Sequence, residues 1–197
     1  MSINIIIAVI AGLGFGLFIF PVELSEYIGI IIDFGLCLLL FFVGMDIGRN
    51  KDVLKQIKIN GVKVLLVPLM VALGSITGSV AAGFIVGLPV NESSAIGAGF
   101  GWYSLSAIEL AKYNAQTSAL AFITNVCREI IALMSIPYIA KYIGKFESIA
   151  PAGATAMDTS LPVISRATDG NTAVISFITG VVLSLLVPIL VPLFIAI

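Results

Sequence analysis

Seven apolar stretches, separated by short polar connections, divide the 197-residue chain. They cover 3–20, 27–48, 62–88, 92–110, 117–140, 149–165 and 171–197. A helix of about 20 apolar residues crosses the hydrocarbon layer, and five of the stretches read as such spans. The stretches 92–110 and 149–165 are interrupted. The first contains Gly97, Gly99 and Gly101 before Trp102; the second contains Pro151, Gly153, Asp158 and Pro162. Non-helical backbone at membrane depth is tolerated only where it is buried in protein or lines a cavity. Interrupted segments in corresponding positions are a pointer to a transporter binding site. The pattern therefore predicts two related units, 62–110 and 117–165, that bring their breaks together. Small residues four apart, Ala8/Gly12/Gly16 and Gly74/Gly78, predict close helix packing. Pro188 and Pro192 predict a kink in the last segment.

Composition narrows the class. The chain is 59% hydrophobic and 11% charged, with a mean hydropathy of +1.16. A soluble domain of this size leaves too much surface in water to hide that apolar content. A transmembrane barrel needs alternating polarity, which Leu36 to Val43 lacks. The expected fold is an all-α polytopic membrane protein with about seven membrane segments, two of them discontinuous and crossing near the midplane. It forms one transporter domain over residues 1–197. The net charge of −1 speaks against a nucleic-acid partner. Cys37 and Cys127 read as packing residues, without disulfide or metal, and no cofactor is implied. The chain has no histidine, so proton chemistry falls to carboxylates. No basic region or cleavage site marks the start, and residues 3–20 read as an uncleaved span. The basic stretch 49–63 places itself, the N-terminus, Lys112 and Arg166 in the cytoplasm, leaving Lys141 and Lys145 outside.

The charges inside the apolar segments carry the candidate chemistry. Arg128 and Glu129 lie in the middle of 117–140, where a charge costs roughly 2.5–3.5 kcal/mol. Helical spacing joins them to Thr124 and Asn125 in one polar wedge. The bland alternative is a buried structural bridge in which the two charges neutralise each other or neighbouring groups, although such pairs stabilise poorly. Asp158 adds a carboxylate in the second broken segment, and Asp33 is a possible secondary acid in 27–48. Asp46, Glu109 and Lys112 read as interfacial, and Glu23, Glu26 and Glu92 as solvated loop charges. Glu129, Asp158, Arg128 and Asn125 are the candidate substrate- or proton-binding residues. Trp102, Tyr103, Ser104, Ser106, Thr155 and Thr159 are the candidate pocket lining.

Several motifs in order carry a resemblance: Phe42 to Asn50, Gly99-Phe100-Gly101-Trp102-Tyr103-Ser104-Leu105-Ser106, Asn125 to Ile130, Gly153 to Pro162, and Leu183 to Pro188. Together they resemble the lysine exporter LysO family over nearly the whole chain. The resemblance implies secondary active export of L-lysine and its analogue thialysine across the bacterial inner membrane, by antiport with protons or a monovalent cation. Essential intramembrane acids of the family fall on Glu129 and Asp158. Two positions depart from the pattern: Ala107 follows Ser106 where glycine is usual, and Asn125 stands where some members have aspartate. Longer members carry three further N-terminal spans, which implies a small three-span partner or a homodimer. Crossed broken helices with buried acids serve a cation/proton antiporter equally well. The reading from another class is a non-transporting membrane subunit, against which the polar breaks speak.

Overall fold

The computed structural model describes residues 64–197, together with Gly14 and Phe34 as isolated helical positions. The expectations for segments 3–20 and 27–48, for the basic stretch, and for Asp33, Asp46 and Cys37 lie outside the described residues. All the elements named below belong to one compact unit, within Asn50–Ile197.

All regular structure among the described residues is helical: α1 (Leu66–Val86), α2 (Val90–Gly97), α3 (Tyr103–Ala111), α4 (Ala115–Tyr142), two short 3-10 turns (Glu147–Ile149 and Gly153–Met157), α5 (Leu161–Ala167) and α6 (Gly170–Ile195). Helices α1, α4 and α6 are long and apolar enough to cross a membrane. Local chemistry sets their ends. Gly87 adopts φ +81° and closes α1 by donating its N–H to Gly83 O, the left-handed stop that glycine takes without a Cβ penalty. Asn114 caps α4 by accepting from Gln116 N, and Asp169 caps α6 by accepting from Thr172 N. Both side chains occupy orphan amides of a first turn. Helix α6 continues through Pro188 and Pro192 to Ile195.

Side-chain contacts fix which ends meet. Thr117 Oγ1, in the first turn of α4, donates to Glu92 Oε2 in the first turn of α2 at 2.7 Å. Ser118 Oγ donates to Ala107 O in α3 at 2.7 Å. The start of α2, the end of α3 and the start of α4 therefore share one end of the unit, the end at which α1 finishes. The opposite end is defined by Lys145, just beyond α4, whose Nζ lies 2.8 Å from Asp169 Oδ2, just before α6. Residues 90–111 and 146–168 thus form two hairpins that enter from opposite ends, and each returns to the end it entered. Lys145 and Arg166 consequently stand at the same end, contrary to the sequence expectation that separated them. Glu92, expected as a solvated loop charge, is partly buried at the junction of two helix N-termini.

Helix α6 supplies the surface on which the hairpins converge. Ile175, Ile178, Leu183, Val187 and Val191 are buried along it. Ile175 and Ile178 join Ala132, Ile136, Ile149, Ala152, Ala156 and Ile164 in one apolar core. At Gly180 the second hairpin comes so close that a Cβ would stand 2.5 Å from Met157 N and 2.8 Å from Ala154 O. Ser176 Oγ adds a bond to Ala156 O at 2.7 Å. Only a glycine flanked by small hydroxyl residues lets an apolar helix hold an unwound segment this tightly.

Candidate functional site

The two hairpins meet at their breaks. In the first, α2 stops at Gly97 and α3 begins at Tyr103. Phe100 (φ 48°) and Gly101 (φ +98°) turn the chain through left-handed backbone. In the second, Gly153 (φ +61°) opens the 3-10 turn, and the next residue, Ala154, donates its N–H to Phe100 O at 2.8 Å. A Cβ on Gly153 would collide with that same Phe100 carbonyl. The crossing therefore needs glycine at 153 for both conformation and room.

Helix α4 runs behind the crossing, and its buried face bears Thr117, Ala121, Asn125, Glu129, Ala132 and Ile136 at three- and four-residue intervals. Asn125 serves the first break. Its Oδ1 accepts from Gly101 N at 2.7 Å, and its Nδ2 donates to Ala121 O at 2.9 Å, with longer contacts to Ser106 Oγ and Ile96 O. Ser106 Oγ in turn donates to Trp102 O at 2.9 Å. Unwound N–H groups must find partners inside the protein, and Asn125 is the partner the first break uses.

Glu129, one turn on, faces the second hairpin. Its Oε1 accepts from Thr159 Oγ1 at 2.5 Å. Thr159 Oγ1 also stands 3.4 Å from Asp158 Oδ1, which accepts from Thr159 N at 2.5 Å. Glu129 is only 8% exposed, whereas Asp158 is open. Tyr103 of α3 lies within electrostatic reach of both carboxylates, and its ring meets Phe122 edge-on at 5.5 Å. Residues from α4 and the second break thus form one acidic, hydroxyl-bearing cluster at the crossing.

Arg128 departs from this cluster. Its Nε donates to Pro151 O at 3.0 Å, its Nη1 to Ser75 Oγ at 2.6 Å and its Nη2 to Ala150 O at 3.2 Å. No ion pair joins Arg128 to Glu129 among the described residues; the two charges do not neutralise each other, and Arg128 is held by neighbouring groups instead. Consecutive helical residues point about 100° apart. Thr124 and Cys127 are exposed, which corrects both the four-residue wedge and the expectation that Cys127 packs inside. With Arg128 they line an open apolar groove of about 1060 Å³ between α1 and α4.

The remaining candidates divide in the same way. Trp102 precedes α3 and is partly buried, as is Ser104. Thr155 is 7% exposed inside the second break and holds Ser160 Oγ at 2.9 Å. The sequence reading missed Ser75, which carries the bond from Arg128 onward by donating to Gly97 O at 2.8 Å. Nothing in its surroundings on α1 distinguishes it from Ser79. Among the described residues no group of His, Cys, Asp and Glu has the geometry to hold a metal ion.

Comparison with known proteins adds an independent line. The chain is 37% identical over 163 residues to a protein of Escherichia coli K12 named "Lysine exporter LysO", a match covering 82% of this chain and 54% of that protein. It is 33% identical over 153 residues to a "Putative lysine exporter" of Haemophilus influenzae, covering 77% of each. The chain therefore spans about half the length of the Escherichia coli relative. No solved structure gives a significant match. The family model described as "Lysine exporter LysO" matches residues 6–195, and the chain belongs to that family.

Proposed function

We propose that this chain is a secondary active exporter of L-lysine in the bacterial inner membrane, with Glu129 and Asp158 as its cation-binding acids. The observation that carries the reading is the Glu129–Thr159–Asp158 cluster at the point where two opposed hairpins cross. Thr159 has one hydroxyl proton, and Glu129 holds it. An ammonium group has three donors, enough to replace that proton on Glu129 and reach Asp158 as well. Lysine at neutral pH offers two such groups. When the site empties, a proton on either acid restores the balance, which gives antiport. Thialysine presents the same ammonium groups and follows the same route.

The hairpin ends support an orientation. Lys141, Lys145 and Arg166 gather at the end where α1 starts, and the basic stretch 49–63 precedes that end in sequence; Lys112 sits at the opposite end. With both broken segments re-entrant, the basic residues favour one side more strongly than seven full crossings allow. That side is the cytoplasm, and the N-terminus lies there too.

A monovalent cation is the second reading, because two carboxylates and a hydroxyl are hard oxygen ligands. Lysine-dependent against sodium-dependent thermal stabilisation separates the two. In proteoliposomes, lysine export is lost in Glu129→Gln and in Asp158→Asn; export that survives both substitutions would sink the assignment.

A further inference from the structure

We infer that Arg128 is a positioning residue, the fixed pivot of the second hairpin, and takes no part in holding the substrate carboxylate. Three observations lead there. First, each arm of the guanidinium already has a protein partner: Nε and Nη2 serve the carbonyls of Pro151 and Ala150, and Nη1 serves Ser75 Oγ. Neither carbonyl has another backbone donor among the turn and loop bonds of this segment. The bond to Pro151 O is partly buried and leaves that carbonyl without a protein partner if removed; the bond to Ala150 O is more exposed. Second, the chain of bonds continues: Ser75 passes its own proton to Gly97 O, where α2 ends and the first break begins. One cation thus ties α1, α4, the last carbonyl of the first half-helix and the entering limb of the second hairpin. It sits where unpaired carbonyls concentrate negative partial charge.

Third, the second hairpin is gripped twice by neighbouring residues of α4. Arg128 holds the entering limb at 150–151, and Glu129 holds the far limb at Thr159. The two grips differ in kind. A cationic ligand competes with Thr159 for Glu129, so that contact opens when substrate binds. Nothing cationic competes for the Ala150 and Pro151 carbonyls against a guanidinium fork already in place. Substrate binding therefore frees one limb while the other stays pinned, and the hairpin turns about Arg128. Lysine has a single charge and no planar fork, so Arg128→Lys keeps the charge and loses the pivot.

The test has a binding and transport arm, which rests on the lysine reading, and a stability arm, which does not. In the binding arm, Arg128→Lys and Arg128→Gln leave the ratio of affinities for lysine and for cadaverine, its decarboxylated analogue, at the wild-type value. Transport per folded protein falls in both variants. If Arg128 were the carboxylate ligand, that ratio would drop by about tenfold or more on losing a charge-assisted hydrogen bond, and the inference would be overturned. In the stability arm, melting is compared for wild type, Ser75→Ala, Arg128→Lys and the double variant without substrate. The pivot requires strong non-additivity, with Ser75→Ala costing little once Arg128 is changed; additive losses overturn it. If wild type binds neither amine while the stability coupling holds, the lysine reading fails and the pivot stands.

Discussion

Replacing Asn125 with alanine separates a backbone staple from a substrate ligand, and its cost follows from the hydrogen bonds. Asn125 is 2% exposed, and its Oδ1 is the partner of the Gly101 N–H inside the first break. Truncation strands that buried donor, at about 1–3 kcal/mol. The acceptors of Nδ2 lose less: Ile96 O keeps Gly99 N, and Ala121 O lies within α4. The missing amide also leaves a void against Gly99, whose added Cβ would touch Nδ2 at 2.7 Å. The sum is about 2–4 kcal/mol, or about 5–15 °C in melting temperature for a chain of this length. Thermal unfolding of the purified protein in detergent measures it. Asn125→Asp, which keeps an acceptor for Gly101 and gives up the donors, melts between the two. Lysine affinity of the folded fraction stays unchanged in both. An alanine variant that melts with wild type while binding lysine more weakly refutes the staple and makes Asn125 a ligand.

Other expectations test the geometry elsewhere. Gly153→Ala places a side chain at φ +61° against Phe100 O; the left-handed conformation alone costs about 1–2 kcal/mol, so little folded protein is recovered on size-exclusion chromatography. Gly180→Ala forces α6 off the second hairpin and destabilises by about 1–3 kcal/mol. Gly170→Ala, with no atom within 4 Å of its added Cβ, melts at or slightly above wild type. Asp169 carries an acid dependence: Lys145 first, then Thr172, hold its carboxyl well below the ordinary carboxylate range. A depressed folded value means that its contribution is complete above about pH 4 and disappears as the pH falls below it. The melting gap between wild type and Asp169→Asn should hold from neutral pH to about pH 4 and narrow progressively as the pH falls further, and salt should narrow it at neutral pH; a gap that widens toward acid contradicts this.

The long helices were legible because each rests on local information. An uninterrupted apolar run gives the span, Asn114 and Asp169 mark the first turns of α4 and α6, and Gly87 marks a stop. The interruptions at Gly97–Gly101 and Pro151–Pro162 were legible for the same reason. What a break does with the chain afterwards is not local. Whether 146–168 crosses or returns is decided by Lys145 meeting Asp169, 24 residues apart, and for 90–111 by Glu92 meeting Thr117, 25 apart. Neither pairing leaves a periodicity in the sequence. Hence the distribution of basic residues places Lys145 and Arg166 on opposite sides, and Glu92 reads as a solvated charge. Ser75 was invisible because its role depends wholly on what reaches it from α4.

The fate of Arg128 and Glu129, by contrast, was constrained by geometry already implicit in their adjacency. On a helix, residues i and i+1 do not face each other. Cys127, Arg128 and Glu129 accordingly look outward, sideways and inward. A mutual ion pair would have required one side chain to fold back over its own helix. Two formal charges on neighbouring faces of an apolar span instead need two separate sets of partners, and these must be polar groups other than water. A segment that crosses once as a regular helix cannot supply them, because its carbonyls and amides are spent on itself. An interrupted hairpin supplies both in one pass, carbonyls at Ala150 and Pro151 and a hydroxyl at Thr159. The adjacent charges and the broken segment are therefore one device: each would be costly at membrane depth without the other. Of its two contacts, the one at Glu129 is a single hydroxyl bond from Thr159, and the one at Arg128 is spread over two carbonyls and Ser75.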